Sequence, residues 1–217
     1  MIYIVATPIG NLEDITLRAL NILKQVEYIL CEDTRVTRKL LDRYEIKNKK
    51  LISYHQHSNQ KKVDSLINLI NNNDVALVTD AGTPGISDPG NKLISELVDV
   101  EIVPIPGASA VTTALSISGL PTDNFIFLGF IPHKKGKQKI LKQVWEEKKT
   151  VVFYESKHRI IKTLGMLKEF KTKDKKFVVC RELTKKFETI YRGNIEEVLE
   201  KVENDKIKGE YVIVVGK

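Results

Sequence analysis

The chain of 217 residues carries 35 Lys/Arg against 28 Asp/Glu, a formal net charge of +7, and 42% of its residues are hydrophobic. That is enough apolar material for one large domain or two small ones, and no run of about 18 apolar residues offers a membrane span. The two cysteines, Cys31 and Cys180, each sit inside an apolar strand-like run; they read as buried thiols of a cytoplasmic protein and support neither a disulfide framework nor a metal site.

The charge is uneven along the chain. Residues 1–118 hold 12 Lys/Arg against 14 Asp/Glu, or −2, and residues 119–217 hold 23 against 14, or +9. A codon bias toward lysine would affect both halves alike, so the asymmetry points to a second half that faces a polyanion, with nucleic acid the first expectation.

The amino terminus, Met1-Ile2-Tyr3-Ile4-Val5, enters a strand directly, with no basic leader or small-residue cleavage site of a signal peptide. The first half then reads as five strand–helix repeats. The predicted strands are Ile2–Ala6, Tyr28–Cys31, Leu51–Tyr54, Val75–Thr79 and Ile102–Ile105, and the helices begin near Asp14, Thr34, Ser58, Asp88 and Ala108. Strict alternation implies a mostly parallel sheet covered on both faces. In the first helix Asp14 is expected as the cap, with Leu17, Leu20 and Leu23 facing inward.

The first turn, Ala6-Thr7-Pro8-Ile9-Gly10-Asn11, is neither the GxGxxG of a dinucleotide fold nor a P-loop, and neither motif occurs elsewhere. Hydride transfer and nucleoside triphosphate chemistry by those routes are thereby disfavoured. Glu32-Asp33-Thr34-Arg35 closes the second strand and opens a helix. Its carboxylates would position a substrate or act as a base; the competing reading is an acidic first turn complementing the helix dipole, with Arg35 in an ion pair. His55 and His57 have metal-ligand spacing, but no third ligand stands nearby in a recognisable pattern.

The stretch Asp74–Gly90, DVALVTDAGTPGISDPG, organises the half. A strand buried on both faces ends at Asp80, and a loop with Gly82, Pro84, Gly85, Pro89 and Gly90 follows, so main-chain groups are exposed to any ligand outside the strand ends. Asp88-Pro89 reads as N-cap and first helical residue, with Leu93, Ile94, Leu97 and Val98 as the buried stripe. A second loop of small residues, Pro106-Gly107-Ala108-Ser109-Ala110, closes the fifth strand. Two such loops at neighbouring strand ends favour one backbone-lined pocket over two unrelated turns.

Gly119-Leu120-Pro121 stops the next helix and marks the expected hinge between an N-terminal domain, 1–118, and a basic C-terminal domain, 119–217. Beyond it come strand Phe125–Phe130, a basic loop with Lys134, Lys135 and Lys137, a helix to Lys149, strand Thr150–Tyr154 and helix Arg159–Phe170. Strands Phe177–Cys180 and Thr189–Tyr191, helix Ile195–Val202 and strand Tyr211–Val215 complete the chain. The basic loop suits phosphates, a solvated loop being the alternative. Lys157-His158-Arg159 and Arg181-Glu182-Leu183-Thr184-Lys185 follow strands, where charges point into clefts.

Eight ordered motifs, TPIGNLEDIT (Thr7–Thr16), EDTR (Glu32–Arg35), TDAGTPGISDPG (Thr79–Gly90), PGAS (Pro106–Ser109), GLP (Gly119–Pro121), FYESKHR (Phe153–Arg159), RELTK (Arg181–Lys185) and GE before the last strand (Gly209–Val215), resemble the ribosomal RNA small subunit methyltransferase I family of the tetrapyrrole methylase superfamily. The resemblance spans almost the whole chain. It implies two α/β domains with S-adenosylmethionine in the cleft between them, a homodimer, and 2′-O-methylation of a cytidine ribose in the decoding region of 16S rRNA.

By position, the resemblance implies methyl-donor contacts at Ile9, Asp80, Gly82, Thr83, Ile86, Ser109 and Ala110, with Tyr154, Glu182 and Glu210 from the second domain. Glu182 or Glu32 is expected as the base, and Arg35, Lys134, Lys135, Lys137, Lys157, Arg159, Arg181 and Lys185 as RNA contacts; no metal is expected. Longer family members continue past the last strand, where this chain stops at Gly216-Lys217, so a role of that extension in gripping the ribosome would be missing here. The Thr7-Pro8-Ile9-Gly10 turn, in place of the glycine-rich turn of tetrapyrrole-modifying relatives, argues against a porphyrin-like substrate. The competing functions are a same-fold methyltransferase for a tetrapyrrole or other small acidic substrate, and an RNA-binding module without catalysis.

Overall fold

The computed structural model of the protein describes residues 1–55 and 58–217, so His57 of the His55/His57 pair lies outside the described residues. By its internal contacts the chain divides into two units, Met1–Ser109 and Ala110–Lys217.

In the first unit, β1 (Ile2–Val5), β2 (Tyr28–Cys31), β3 (Lys50–Ser53), β4 (Val75–Leu77) and β5 (Ile102–Ile105) form one sheet in the order β3-β2-β4-β1-β5. Every pairing is parallel, and parallel neighbours need crossovers. These are supplied by α1 (Leu17–Gln25), α2 (Thr34–Arg43), α3 (Gln60–Asn72) and the short α4 (Asn91–Ser95). Successive strand residues point to opposite faces. Tyr3, Val5, Ile29 and Cys31 therefore pack with Ala19, Leu23 and Leu41 on one side, and Ile2, Leu30, Val75 and Leu77 with Val63, Leu66 and Ile70 on the other. Burial on both faces is why these strands read as unbroken apolar runs.

Two helix starts differ from expectation. Asn11 caps a 3-10 turn over Leu12–Asp14, and Thr16, not Asp14, caps α1 by accepting from the Ala19 N–H. The buried stripe of α1 consequently runs through Ala19 and Leu23, and Leu17 is 80% exposed. Asp88-Pro89 stays in the loop; α4 begins after Gly90, whose φ of 148° suits glycine, and it ends at Ser95, leaving Val98 exposed.

In the second unit, β6 (Phe125–Phe130), β7 (Thr150–Ser156), β8 (Lys176–Arg181), β9 (Thr189–Gly193) and β10 (Glu210–Gly216) form a mixed sheet in the order β6-β7-β10-β8-β9. Only β6 and β7 run parallel; the other pairings are antiparallel. Its helices are α5 (Ala110–Ser118), α6 (Lys137–Glu146), α7 (Ile160–Glu169) and α8 (Ile195–Glu203). The core gathers Trp145, Phe153, Leu164, Phe177, Val198 and Ile213, and the Trp145 indole N–H donates to the Leu167 carbonyl at 2.9 Å. Because α5 packs on β10 and β7, the division falls earlier than the hinge expected at Gly119. That glycine, at φ 70°, instead ends α5 within the second unit.

Cys31 and Cys180 are both free and fully buried. Burial pushes the Cys180 thiol up to about 12, so it packs as a small apolar side chain. Among the described residues no helix is long and apolar enough to cross a membrane.

Candidate functional site

Strands β4, β1 and β5 are consecutive and parallel, so the loops leaving them emerge side by side, where open α/β sheets hold ligands. Backbone groups tie these loops together. Thr7 N–H donates to the Gly82 carbonyl at 2.8 Å and Gly82 N–H to the Thr7 carbonyl at 3.0 Å. The Thr7 hydroxyl reaches the Thr79 carbonyl at 3.0 Å, and the Thr83 hydroxyl the Ala108 carbonyl at 3.2 Å. Within the longest loop, the Asn91 amide donates to the Gly85 carbonyl at 2.9 Å.

Gly82 has φ 84°, and a Cβ there would stand 3.4 Å from the Ile9 side chain. A Cβ on Gly107 would stand 3.0 Å from that of Ala6. Positive φ at Gly82 and the close approach of Gly107 to Ala6 favour glycine at both places, so main-chain groups with the Thr7 and Thr83 hydroxyls form a floor flanked by buried Ile9 and exposed Ile86. The expected donor residues Ile9, Asp80, Gly82, Thr83 and Ile86 all lie on these loops. Ser109 ends the first unit and Ala110 opens α5 of the second. A floor of backbone donors and acceptors between isoleucines, with one carboxylate at its edge, fits an adenosine-bearing ligand.

That carboxylate is Asp80, whose Oδ1 accepts the Asp33 N–H at 2.9 Å. Burial pushes its pKa up, opposed by this hydrogen bond and assisted by the nearby Asp33 charge. Asp33 itself caps α2, and its hydrogen bonds with the Arg35 side chain and backbone hold its carboxyl down at about 2. Arg35 is paired with Asp33 at 2.6 Å while remaining exposed. Glu32 takes no part in this pair; its Oε2 accepts the Thr79 hydroxyl at 3.3 Å.

In the second unit the strand directions bring the carboxyl ends of β6, β7 and β8 together with the amino ends of β9 and β10. The loops at that end carry Lys134, Lys135, Lys157, Lys186, Lys206 and Lys208, all exposed, with His133 and His158. Lys206 and Lys208 were not legible as part of this surface, because only the antiparallel direction of β10 brings them there.

Three expected RNA contacts are corrected by burial. Lys137 is 5% exposed; its ammonium donates to the Thr163 hydroxyl at 2.7 Å, which donates to Glu155 Oε2 at 2.6 Å. Arg159 bonds Glu155 Oε1 at 2.7 Å and the Ile131 carbonyl at 2.7 Å. Arg181, 7% exposed, bonds Asp205 at 3.0 Å and the Lys206 carbonyl at 2.6 Å. These three cations anchor the loops that carry the exposed lysines.

Glu182, Lys185 and Glu210 form one cluster: Lys185 Nζ lies 3.0 Å from Glu182 Oε1 and 2.9 Å from Glu210 Oε2, and the Glu210 N–H donates to Glu182 Oε1 at 3.0 Å. Burial works to raise the Glu182 pKa, but Lys185 and the Glu210 N–H outweigh it and hold the carboxyl below its ordinary value. A Cβ on Gly209, at φ 82°, would overlap this carboxyl. Tyr154 presents its ring edge-on to Phe127 and Phe130, with centroids 5.0 and 5.3 Å away. Among the described residues no group of three His, Cys, Asp or Glu could hold a metal.

A family model described as Tetrapyrrole (Corrin/Porphyrin) Methylases matches residues 1–199. The chain belongs to that family. Within it, the chain is 46% identical to the ribosomal RNA small subunit methyltransferase I of Hydrogenobaculum sp., covering 100% of this chain and 95% of that one. It is 44% identical to the protein of the same name from Halalkalibacterium halodurans, over 99% of this chain and 75% of the other. Among solved structures, the methyltransferase CobJ superposes with a TM-score of 0.71 at 17% identity, covering 100% of this chain and 93% of that one. The uroporphyrin-III-C-methyltransferase of Thermus thermophilus superposes with 0.68 at 21%, covering 100% and 94%. This tetrapyrrole methylase is therefore a methyltransferase, of the ribosomal RNA small subunit methyltransferase I group.

Proposed function

We propose that this methyltransferase uses S-adenosylmethionine to methylate the 2′-hydroxyl of a cytidine ribose in the decoding region of 16S rRNA, in the cytoplasm and as a homodimer. What carries the reading is near-full-length identity of 42–46% to proteins named ribosomal RNA small subunit methyltransferase I, joined to a sheet end that collects exposed lysines.

The donor belongs on the loops of Ile9, Asp80, Gly82, Thr83 and Ile86, with Ser109 and Ala110, and the candidate contributions of Tyr154, Glu182 and Glu210 are part of the same proposal. Bound there, it supplies an electrophilic methyl group on a sulfonium, already a good leaving group. The protein's task is then chiefly to align the acceptor oxygen and exclude water. Lys134, Lys135 and Lys157, joined by Lys186, Lys206 and Lys208, hold phosphates; such contacts position the RNA without reading its sequence.

The test is incubation with labelled S-adenosylmethionine and unmodified small ribosomal subunits, with free rRNA alongside, followed by digestion to nucleosides. Labelled 2′-O-methylcytidine is expected. Donor binding without transfer to either RNA overturns the acceptor assignment, and no donor binding leaves a non-catalytic RNA-binding module.

A further inference from the structure

At the carboxyl ends of β2, β3 and β4 the first unit holds an open cavity of about 650 Å³, lined by Glu32, His55, Asn59, Lys62 and Ser87 among others. Its size falls in the range of small-ligand sites, roughly 300–1,000 Å³. Ser87 belongs to the same loop as Gly82, Thr83 and Ile86, so the cavity and the glycine-lined floor share a wall. Ser87 adopts φ 64°, and five other described non-glycine residues also lie in the left-handed region.

The lining groups differ from the paired charges of the Glu182 cluster. Glu32 accepts one hydrogen bond, from the Thr79 hydroxyl, and forms no ion pair among the described residues, since Asp33 takes Arg35. Lys62 is half-buried, and its ammonium has no hydrogen bond or ion pair among the described residues. His55 is held in place, its ring Nε2 2.7 Å from the Ser53 hydroxyl and its backbone N–H donating to the Ser58 hydroxyl at 3.0 Å. By contrast Glu182 is occupied by Lys185 and the Glu210 N–H. A general base needs an accessible lone pair within reach of the proton it removes, and the Glu32 carboxylate faces this cavity.

We infer that this cavity receives the acceptor nucleotide, with Glu32 as the catalytic base at the ribose 2′-hydroxyl and Lys62 on an adjoining phosphate. The inference rests on the function proposed above. The 2′-oxygen forms its bond to the methyl carbon as the carbon–sulfur bond breaks; that electron pair leaves with sulfur as a neutral thioether, and the hydroxyl proton passes to the Glu32 carboxylate.

Two variants and one donor-free measurement test it. Glu32→Gln keeps the shape of the side chain; single-turnover transfer to small subunits is expected to fall about 100-fold or more, with affinity for donor and subunit unchanged. Lys62→Ala is expected to weaken donor-free subunit binding and lower its salt slope by about 1. In the wild-type protein without donor, cytidine monophosphate is expected to shift the His55 imidazole resonances. A wild-type rate in Glu32→Gln, unaltered binding in Lys62→Ala, or unmoved His55 resonances each overturns the assignment. Absence of transfer by the wild-type protein would instead defeat the functional reading, and the His55 titration would still decide whether the cavity takes a nucleotide.

Discussion

In the first unit the strand ends carry loops almost stripped of side chains and joined through main-chain groups, as in the paired bonds of Thr7 with Gly82. In the second they carry long cationic side chains on loops anchored from beneath by buried ions, as Arg159 and Lys137 do around Glu155. The first arrangement suits a small ligand that must be read closely, because a backbone floor cannot change rotamer. The second suits a large polyanion, because lysines adapt to phosphates while the buried ions keep their loops in place. The net charges of −2 and +9 follow the same division.

The largest expected effect comes from breaking the support of the basic end. Glu155→Ala leaves Lys137 and Arg159 buried without their carboxylate, a change that typically costs about 3–5 kcal/mol. Urea denaturation is expected to show that loss, with Glu155→Gln intermediate; equal stability of all three proteins would remove the anchoring role. Next, Gly82→Val forces a β-branched residue to a left-handed φ beside Ile9. Strain of roughly 1–3 kcal/mol should lower donor affinity about tenfold or more by calorimetry, with little change in donor-free rRNA binding.

A smaller and distinct effect is expected from replacing Lys134, Lys135 and Lys157 together with Ala. The salt slope of rRNA binding should fall by about 3, while donor affinity stays put. If donor binding moves and the slope does not, the division of labour between the units is wrong. The smallest effect belongs to Asp80. Its folded pKa is raised above the ordinary 3.8, so stability is full below the unfolded value and declines as pH rises from there through the folded value. Asp80→Asn should therefore match or exceed wild-type thermal stability at pH 7 while binding the donor more weakly; a loss of stability would show that the carboxylate is structurally required.

Much of this was legible from local pattern. The apolar runs and the glycine and proline punctuation located the strands to within a residue or two, and the two small-residue loops read as neighbours because parallel strands end together, as the Thr83 hydroxyl bond to Ala108 shows. Lys137 was misread as a surface lysine, although the signal was present: it stands four, seven and eight residues before Leu141, Val144 and Trp145, on the buried stripe of α6. Arg181 was not legible, because its partner Asp205 lies on another loop and only the sheet brings them together. Leu17 was misplaced because the cap is Thr16, so the helix starts late and turns a different face inward. The basic end was only half visible, since strand direction, not sequence, decides which lysines share a surface.

Strand β1 has its two neighbours far along the chain: Ile2 lies opposite both Val75 and Ile102. During synthesis at about 5–20 residues per second, β1 once made has no partner on either edge for roughly 4–15 s, until β4 follows it. Throughout that interval Ile2-Tyr3-Ile4-Val5 is an unpaired apolar segment open to pairing with other chains. In the second unit β7 and β9 each follow directly on the strand they pair with, so no strand there waits as long for a first neighbour, although β10, its last strand, joins the two pairs. The sheet bearing the glycine loops closes only when its final strand emerges, and conditions that slow translation between α1 and β4 lengthen the window for aggregation of the nascent chain.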